Sequence, residues 1–422
     1  MSASPVESEP AGSGTGYARG ARILSVGIAS TGLFTFAYFA LAANVLAKAE
    51  YGRISLLWAV LFVVLSVIYR PVEQLLSRSI ADRRARGLAG GHPLRVPLLL
   101  QGSFALGFLV LALLFKGPIR DAFDGDETLF WILVVAALAY AASYFARGYV
   151  AGHEWFGLYG GLVLFESISR FCFPLAVTAG IASGQTAVAL GIVAAPFASL
   201  LVIPLAFRRT ERAPPRRVGD RASTLRASGA FAGSVALIQL AEQTLLNAAV
   251  LLVDGTVLAG VVFSALLIAR APLQLFQAIQ TSLLPHLTGL EAGEGGEGFA
   301  RAIRTTLLAI AAFAGTVALG LLAVGPPVMK LLFHNDFGRF GLALLAIGMG
   351  LHLAAGTFTQ ALLARGRANR AAAAWLIAAG GFVAWMVAGV LDDDLLRAEV
   401  GYAGATAVLA LVLSAQARIR HS

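Results

Sequence analysis

The chain has 422 residues, of which 58% are hydrophobic and only 13% charged, with a mean hydropathy of +0.79. A soluble domain carries about 25% charged residues, so the composition excludes an ordinary water-facing surface and makes lipid the solvent. The formal net charge of +9 would suggest nucleic acid in a soluble protein; here it reads as a topology signal, and no nucleic-acid partner is expected.

In chain order, residues 1–20 open with MSASPVESEPAGSGTGYA. They read as a disordered cytoplasmic tail and lack the basic start and short apolar core of a cleaved signal. Twelve apolar stretches follow, at 23–47, 54–69 (running on toward 79), 96–115, 129–146, 157–181, 187–207, 230–253, 257–284, 305–324, 341–364, 371–391 and 400–417. Stretches of about 20 apolar residues span a bilayer, and in hydrocarbon only helices or closed barrels satisfy the backbone. The period-two alternation of a barrel is absent. The predicted class is an all-α polytopic membrane protein with twelve transmembrane helices.

Placing the N-terminus in the cytoplasm puts 22 of the 32 Lys and Arg inside and 7 outside, leaving Arg70, Arg170 and Arg270 within spans. Under the positive-inside rule, both termini are expected on the cytoplasmic side of the inner cell membrane. The run RRTERAPPRRVGDR is expected against anionic headgroups, worth about 1 kcal/mol per basic residue close to the surface.

That run belongs to a basic linker, 208–226, dividing an N-terminal bundle (21–207) from a C-terminal one (227–417), with a short cytoplasmic tail at 418–422. The halves echo each other. Aligning Arg70 on Arg270 superposes Gln74 on Gln274 and Leu75 on Leu275, and FARGYVAG (145–152) and LLARGRAN (362–369) both end a fourth span on an Arg-Gly pair. Six spans followed by six in the same orientation make parallel repeats about an axis along the membrane normal, with a cavity between them.

Polar residues fall in helical stripes. The second span has Arg70, Glu73, Gln74, Ser77 and Arg78; the seventh has Gln239, Glu242, Gln243 and Asn247; the eighth has Arg270, Gln274, Gln277 and Thr281. The first adds Thr31, Thr35 and Tyr38. Blander readings stand beside each. Arg70 is ~24 Å along its helix from residue 54 and either snorkels to the headgroups or lines the cavity. Arg270, ~20 Å in, is deeper. Glu166 and Arg170, four apart, read as neutralising one another along one helix. The seventh-span amides could be interhelical glue. A charge such as Glu242 near mid-membrane costs about 2.5–3.5 kcal/mol and leans functional.

Other residues read as structural. His352 reads as a satisfied interior histidine and Cys172, the single cysteine, as a small core residue. The prolines Pro71, Pro174 and Pro272 are kinks or packing breaks. DGDE (124–127) and DDD (392–394) read as solvated loop charge. No metal-ligand spacing or nucleotide-binding loop occurs, so no cofactor and no enzymatic activity is expected. An arginine- and glutamine-lined cavity suits an anionic, sugar-bearing substrate, because guanidinium groups fork onto phosphate oxygens and amides pair with hydroxyls.

The segments STGLFTFAYFALAANVLAKAEYGRISLLWAVLF, RPVEQLLSRSIADRRARG, RGYVAGHEWFGLYGGLVLFESISR and QALLARGRANRAAAAW resemble the polysaccharide flippases of the multidrug/oligosaccharidyl-lipid/polysaccharide (MOP) exporter superfamily. In that resemblance Tyr51–Gly52 stands at a short exterior turn. It implies a MATE-like fold and a flippase moving undecaprenyl-pyrophosphate-linked oligosaccharide across the membrane for cell-surface polysaccharide biosynthesis, by alternating access around a central cationic cavity. Carried over, Arg70 and Arg270 would contact pyrophosphate, and Gln74, Gln243 and Gln274, with Gln277 and Asn247 on the same stripes, would contact sugar. Glu242 or Glu73 would couple to an ion. A polysaccharide polymerase or glycosyltransferases would be possible partners. Two rivals stand: an ion-coupled MATE-type drug antiporter, whose usual first-span carboxylate is missing here, and a non-transporting membrane partner of a polysaccharide synthesis complex.

Overall fold

The computed structural model describes residues 13–85, 94–201, 225–268, 270 and 295–418. They form α1 (Ser13–Val45), α2 (Lys48–Val64), a π turn (Leu65–Tyr69), α3 (Arg70–Ala85), α4 (Arg95–Leu114), α5 (Lys116–Asp121), α6 (Glu127–Gly152), α7 (Phe156–Thr178) and α8 (Gly184–Leu200). There follow α9 (Leu225–Leu252), α10 (Thr256–Ile268), α11 (Gly295–Phe333), α12 (Arg339–Ala364), α13 (Ala368–Ala388) and α14 (Asp394–Arg418). No strand occurs among the described residues. Among the described residues nine helices are long and apolar enough to cross a bilayer; three shorter apolar helices, Ser30–Val45, Gly184–Leu200 and Thr256–Ile268, lie in the other three predicted spans. The chain is a multi-pass α-helical membrane protein.

Several boundaries differ from the sequence reading. Helix α1 begins at Ser13, so residues 13–20 are helical where a disordered tail was expected. Once the apolar segment nucleates a helix, each added residue gains a hydrogen bond at little further cost. Tyr51 and Gly52 lie in the first turns of α2 and not in a turn; the chain reverses at Leu46–Ala47. The linker 208–224 lies outside the described residues.

The second span runs through α2, the π turn and α3. Arg70 N–H donates to Leu65 O, five residues back. Pro71 has no N–H, and its ring would crowd the carbonyl four residues earlier; the wide turn absorbs that misfit without ending the helix. Single π turns are frequent at functional sites, and this one sets the direction of Arg70.

The packing scheme recurs. First span packs on fifth (α1 on α7, α9 on α13), fifth on sixth (α7 on α8, α13 on α14), fourth on sixth (α6 on α8, α12 on α14) and third on fourth (α4 on α6, α11 on α12). The third span of each half, α4 or α11, is peripheral: its best apolar window is only 17% buried in either case. Its exposed side chains, such as Leu98 and Leu114 or Leu308 and Leu319, face lipid. Within the first half, Gly148 and Gly152 let α6 approach α3, since a Cβ at Gly148 would come 2.7 Å from Glu73 O and one at Gly152 2.7 Å from Ile80 Cβ. This is the small-xxx-small contact of membrane helices.

The halves meet at the arginine-poor face. A Cβ at Gly52 would overlap Thr256 O, Tyr51 and Ser264 hydroxyls lie 2.9 Å apart, and Asn44 Nδ2 donates to Leu332 O at 2.8 Å. Phe39 packs on Phe263 with ring centroids 4.5 Å apart. Asp124 is not free loop charge: it accepts from Arg53 Nη1 and Thr256 Oγ1, both at 3.1 Å, tying the α5–α6 loop to both halves. Asp126 caps α6 through Thr128 N and Leu129 N, and Asp393 caps α14 through Leu395 N and Leu396 N. Cys172, expected in the core, is exposed on the outside of α7; one small polarisable side chain is tolerated at a lipid face.

Candidate functional site between the halves

Helix α9 is the hub, touching α2, the π turn and α3 as well as α13 and α14. Its polar stripe divides by function. Gln239 Nε2 donates to Glu242 Oε2 at 2.9 Å, and Glu242 Oε1 lies 3.5 Å from His352 Nε2. The imidazole is 3% exposed. Its Nδ1 lies 3.2 Å from the Tyr402 hydroxyl, and its ring meets Trp375 edge-on at 5.3 Å. Trp375 is fixed in turn by Nε1 donating to Thr359 Oγ1 at 2.9 Å. Glu242, His352 and Tyr402 thus form a chain of ionisable or hydroxyl groups across α9, α12 and α14. The sequence reading set His352 aside as a satisfied interior residue. Its burial and its two polar neighbours agree with that reading; the sequence did not show that Glu242 is one of them.

One turn further along α9, Asn247 Nδ2 donates to Gln243 O at 2.9 Å and to Gln243 Oε1 at 3.2 Å. Both residues are fully buried. Arg270 Nη2 donates to Asn247 Oδ1 at 3.0 Å and to Leu246 O, and the guanidinium lies over the Phe263 ring at 5.2 Å. The structure therefore brings together three residues predicted to contact substrate, Arg270, Gln243 and Asn247, but it joins them to one another. This is interhelical hydrogen bonding as much as a ligand surface. Arg270 Nε has no partner among the described residues.

The second-span stripe also splits. Successive residues sit about 100° from each other on a helix, so Glu73 and Gln74 point apart. Gln74 is exposed; Glu73 is buried and accepts from Tyr159 Oη at 2.7 Å. The two carboxylates expected as ion-coupling candidates therefore have separate surroundings. Arg70 opens α3, one turn before Glu73. It makes no hydrogen bond or ion pair with a described residue. Gln274 and Gln277 lie outside the described residues, as do Thr281 and Pro272.

Glu166 and Arg170 do not pair. Glu166 takes Arg147 and Ser143 of α6 as partners, while Arg170 stacks over Trp58 at 4.4 Å and reaches Ser167 Oγ at 3.4 Å. The along-helix geometry is permitted, but α6 brings a second guanidinium nearer. Arg147, counted with the cytoplasmic edge on sequence, is inside the bundle, its side chain 12% exposed. Tyr38 likewise turns from the interface to donate to Val188 O at 2.9 Å. No group of three or more His, Cys, Asp or Glu able to hold a metal occurs among the described residues.

No protein-family model matches the chain, and no curated protein does. Solved structures do. The chain is similar to a multidrug resistance MATE family transporter of the MOP superfamily in its inward-facing conformation: TM-score 0.69, 14% identity, covering 94% of this chain and 97% of that one. The Vibrio cholerae MATE transporter VcmN in its bent form aligns at TM-score 0.63 with 16% identity over 96% of this chain and 98% of that one. A MOP superfamily transporter from Pyrococcus furiosus, described by a binding pocket of reverse polarity, aligns at TM-score 0.67 with 13% identity over 95% and 94%. At these identities the likeness is one of fold, and it extends over nearly the whole of each chain. The all-α, MATE-like architecture expected from the sequence is the observed one: this chain has the fold of the MOP-superfamily transporters.

Proposed function

We propose that this protein is an alternating-access transporter that moves an anionic, lipid-linked oligosaccharide across the membrane. The observation that carries the reading is Arg70. It opens α3, a helix that touches α9 of the other half, and it has no hydrogen bond or ion pair with a described residue; a cation inside a membrane bundle is costly to keep without a partner. Such a group is maintained for an anion that arrives and leaves, and the planar fork of arginine matches phosphate oxygens. Arg270 is the second cation of the interface, held in place by Asn247. Gln74 on α3, with Gln274 and Gln277, would meet the glycan. The undecaprenyl-pyrophosphate carrier and a role beside a polymerase or glycosyltransferases belong to this reading.

The chain carries no nucleotide-binding motif, so its driving force is a gradient or the substrate itself. Glu242 with His352 is the coupling site of this reading, because histidine is the side chain that changes charge between pH 5 and 8.

The test is made in cells depleted of the protein. Lipid extracts are searched by mass spectrometry for pyrophosphate-linked glycans, whose accessibility is probed with a membrane-impermeant sugar-modifying enzyme. A glycan that accumulates out of the enzyme's reach supports the reading; unchanged lipid-linked glycans and unchanged surface polysaccharide overturn it. Ion-coupled efflux of small molecules is the second reading, favoured by the pairing of the partly buried Glu242 with the buried His352. Against it, α1 contains no carboxylate. Drug sensitivity of the depleted cells separates the two.

A further inference from the structure

A second feature lies outside the interface. Between α11, α12 and the end of α14 runs a groove of about 570 Å³, lined by Ile303, Leu307, Ala311 and Phe358, with Arg304 and Arg365 at its mouth. That volume is in the range of ligand pockets, roughly 300–1,000 Å³. It opens beside α11, the peripheral helix whose neighbouring side chains face lipid.

Depth identifies the chemistry. Arg304 stands 29 residues before the end of α11 at Phe333, about 43 Å along the helix. Arg365 stands at the C-cap of α12, 26 residues from Arg339, about 39 Å along. A bilayer has a core of about 30 Å and spans about 40–45 Å with its headgroups, so both guanidinium groups stand at headgroup height. Ala311 is about 33 Å from Phe333, at the edge of the hydrocarbon. The groove therefore crosses from headgroup to acyl chain, cationic at one end and apolar along the other. Arg365 is positioned by Nη1 donating to Ala417 O at 2.8 Å and by lying over the Phe299 ring at 4.3 Å. Arg304 is exposed and makes no hydrogen bond or ion pair with a described residue.

We infer that this groove is a binding site for a membrane phospholipid with a net negative headgroup, its phosphate between Arg304 and Arg365 and the start of an acyl chain along Ile303, Leu307, Ala311 and Phe358. Charge complementarity selects an anionic over a zwitterionic lipid, as basic pockets between membrane helices do elsewhere. The site is independent of what the interface carries.

Native mass spectrometry of the full chain, titrated with phosphatidylglycerol or phosphatidylcholine of equal chain length, tests it. Phosphatidylglycerol is expected to remain bound more than phosphatidylcholine. Arg304→Gln should lower its retention about fivefold, the worth of one arginine close to an anionic surface. Ala311→Trp should lower it as well while leaving both cations in place, which separates a groove from diffuse surface attraction. Equal retention of the two lipids overturns the proposal. So does unchanged phosphatidylglycerol retention in both variants, or a rise on deleting residues 419–422, which would make the chain's own end the occupant.

Discussion

The two halves place a carboxylate inside the helix bundle, buried Glu166 in one and partly buried Glu242 in the other, in different ways. In the first half Glu166 is matched by Arg147, with Ser143 completing the shell, and Ser199 bonded to Ser143 at 3.1 Å. This close ion pair acts as a structural tie between α6 and α7. In the second half Glu242 is matched by a histidine, the residue type used as a switch near neutral pH, and His352 is backed by Tyr402. The Glu166–Arg147 pair belongs to the scaffold of one bundle. The Glu242–His352 pair lies at α9, the helix that also touches the opposite half. The proposed transport cycle would use both: bundles that stay intact, and an interface whose balance can be tipped.

The sharpest test removes one partner from each pair. Glu166→Ala leaves Arg147 buried and uncompensated and should cost about 3–5 kcal/mol, read as a loss of thermal stability in detergent or nanodiscs. Replacing both as Arg147→Met with Glu166→Leu should recover most of that loss. If Glu242→Gln costs as much as Glu166→Ala, the distinction between tie and switch fails.

Asn247→Ala removes one of the acceptors of Arg270 and should cost about 1.5–3 kcal/mol, the range for hydrogen bonds to charged groups. Comparable stability in the variant would show that Leu246 O alone suffices. At the arginine-poor face, Gly52→Val forces overlap with Thr256 O at a cost of about 1–3 kcal/mol. That shifts the population toward states open at this face. Spin-label distances across Asn44 and Leu332, placed in a Cys172→Ser background, should lengthen; unchanged distances would place the closing contact elsewhere.

The smallest stability effect and the most specific functional one belong to His352. His352→Gln keeps a polar group beside Glu242 and should change stability by less than about 1 kcal/mol. The proton it can carry is lost. Wild-type transport in liposomes should therefore respond to a pH gradient, since histidine is the residue type that exchanges protons near neutral pH and Glu242, Tyr402 and Trp375 surround this one. In His352→Gln that response should flatten. A pH profile identical to wild type would remove the histidine from coupling.

Much of this molecule is readable along the chain. Arg270, Asn247 and Gln243 could be anticipated together because a polar group on an apolar helix stands out against its neighbours, and helical spacing gathers Gln243 with Asn247. The pairing of Glu166 could not be anticipated. Its local partner, Arg170, was available, and the choice of Arg147 depends on how closely α6 approaches α7. The same holds for Glu73 and Tyr159, 86 positions apart, and for His352 and Tyr402, 50 apart. The position of Arg70 rested on Pro71, which the sequence displays, but whether the proline would kink, break or widen the helix was open until the π turn was seen.

By itself, then, the sequence determined the solvent, the helical class and the positions of the nine described helices long enough to span. Burial of apolar surface and satisfaction of backbone groups are local demands, met within each stretch of about 20 residues. Only the tertiary structure decided which ionisable groups meet, which are tied and which stay available. Those choices depend on approaches of a few ångströms between helices far apart in the chain, set by glycines such as Gly52 and Gly148 that leave room for a neighbouring backbone.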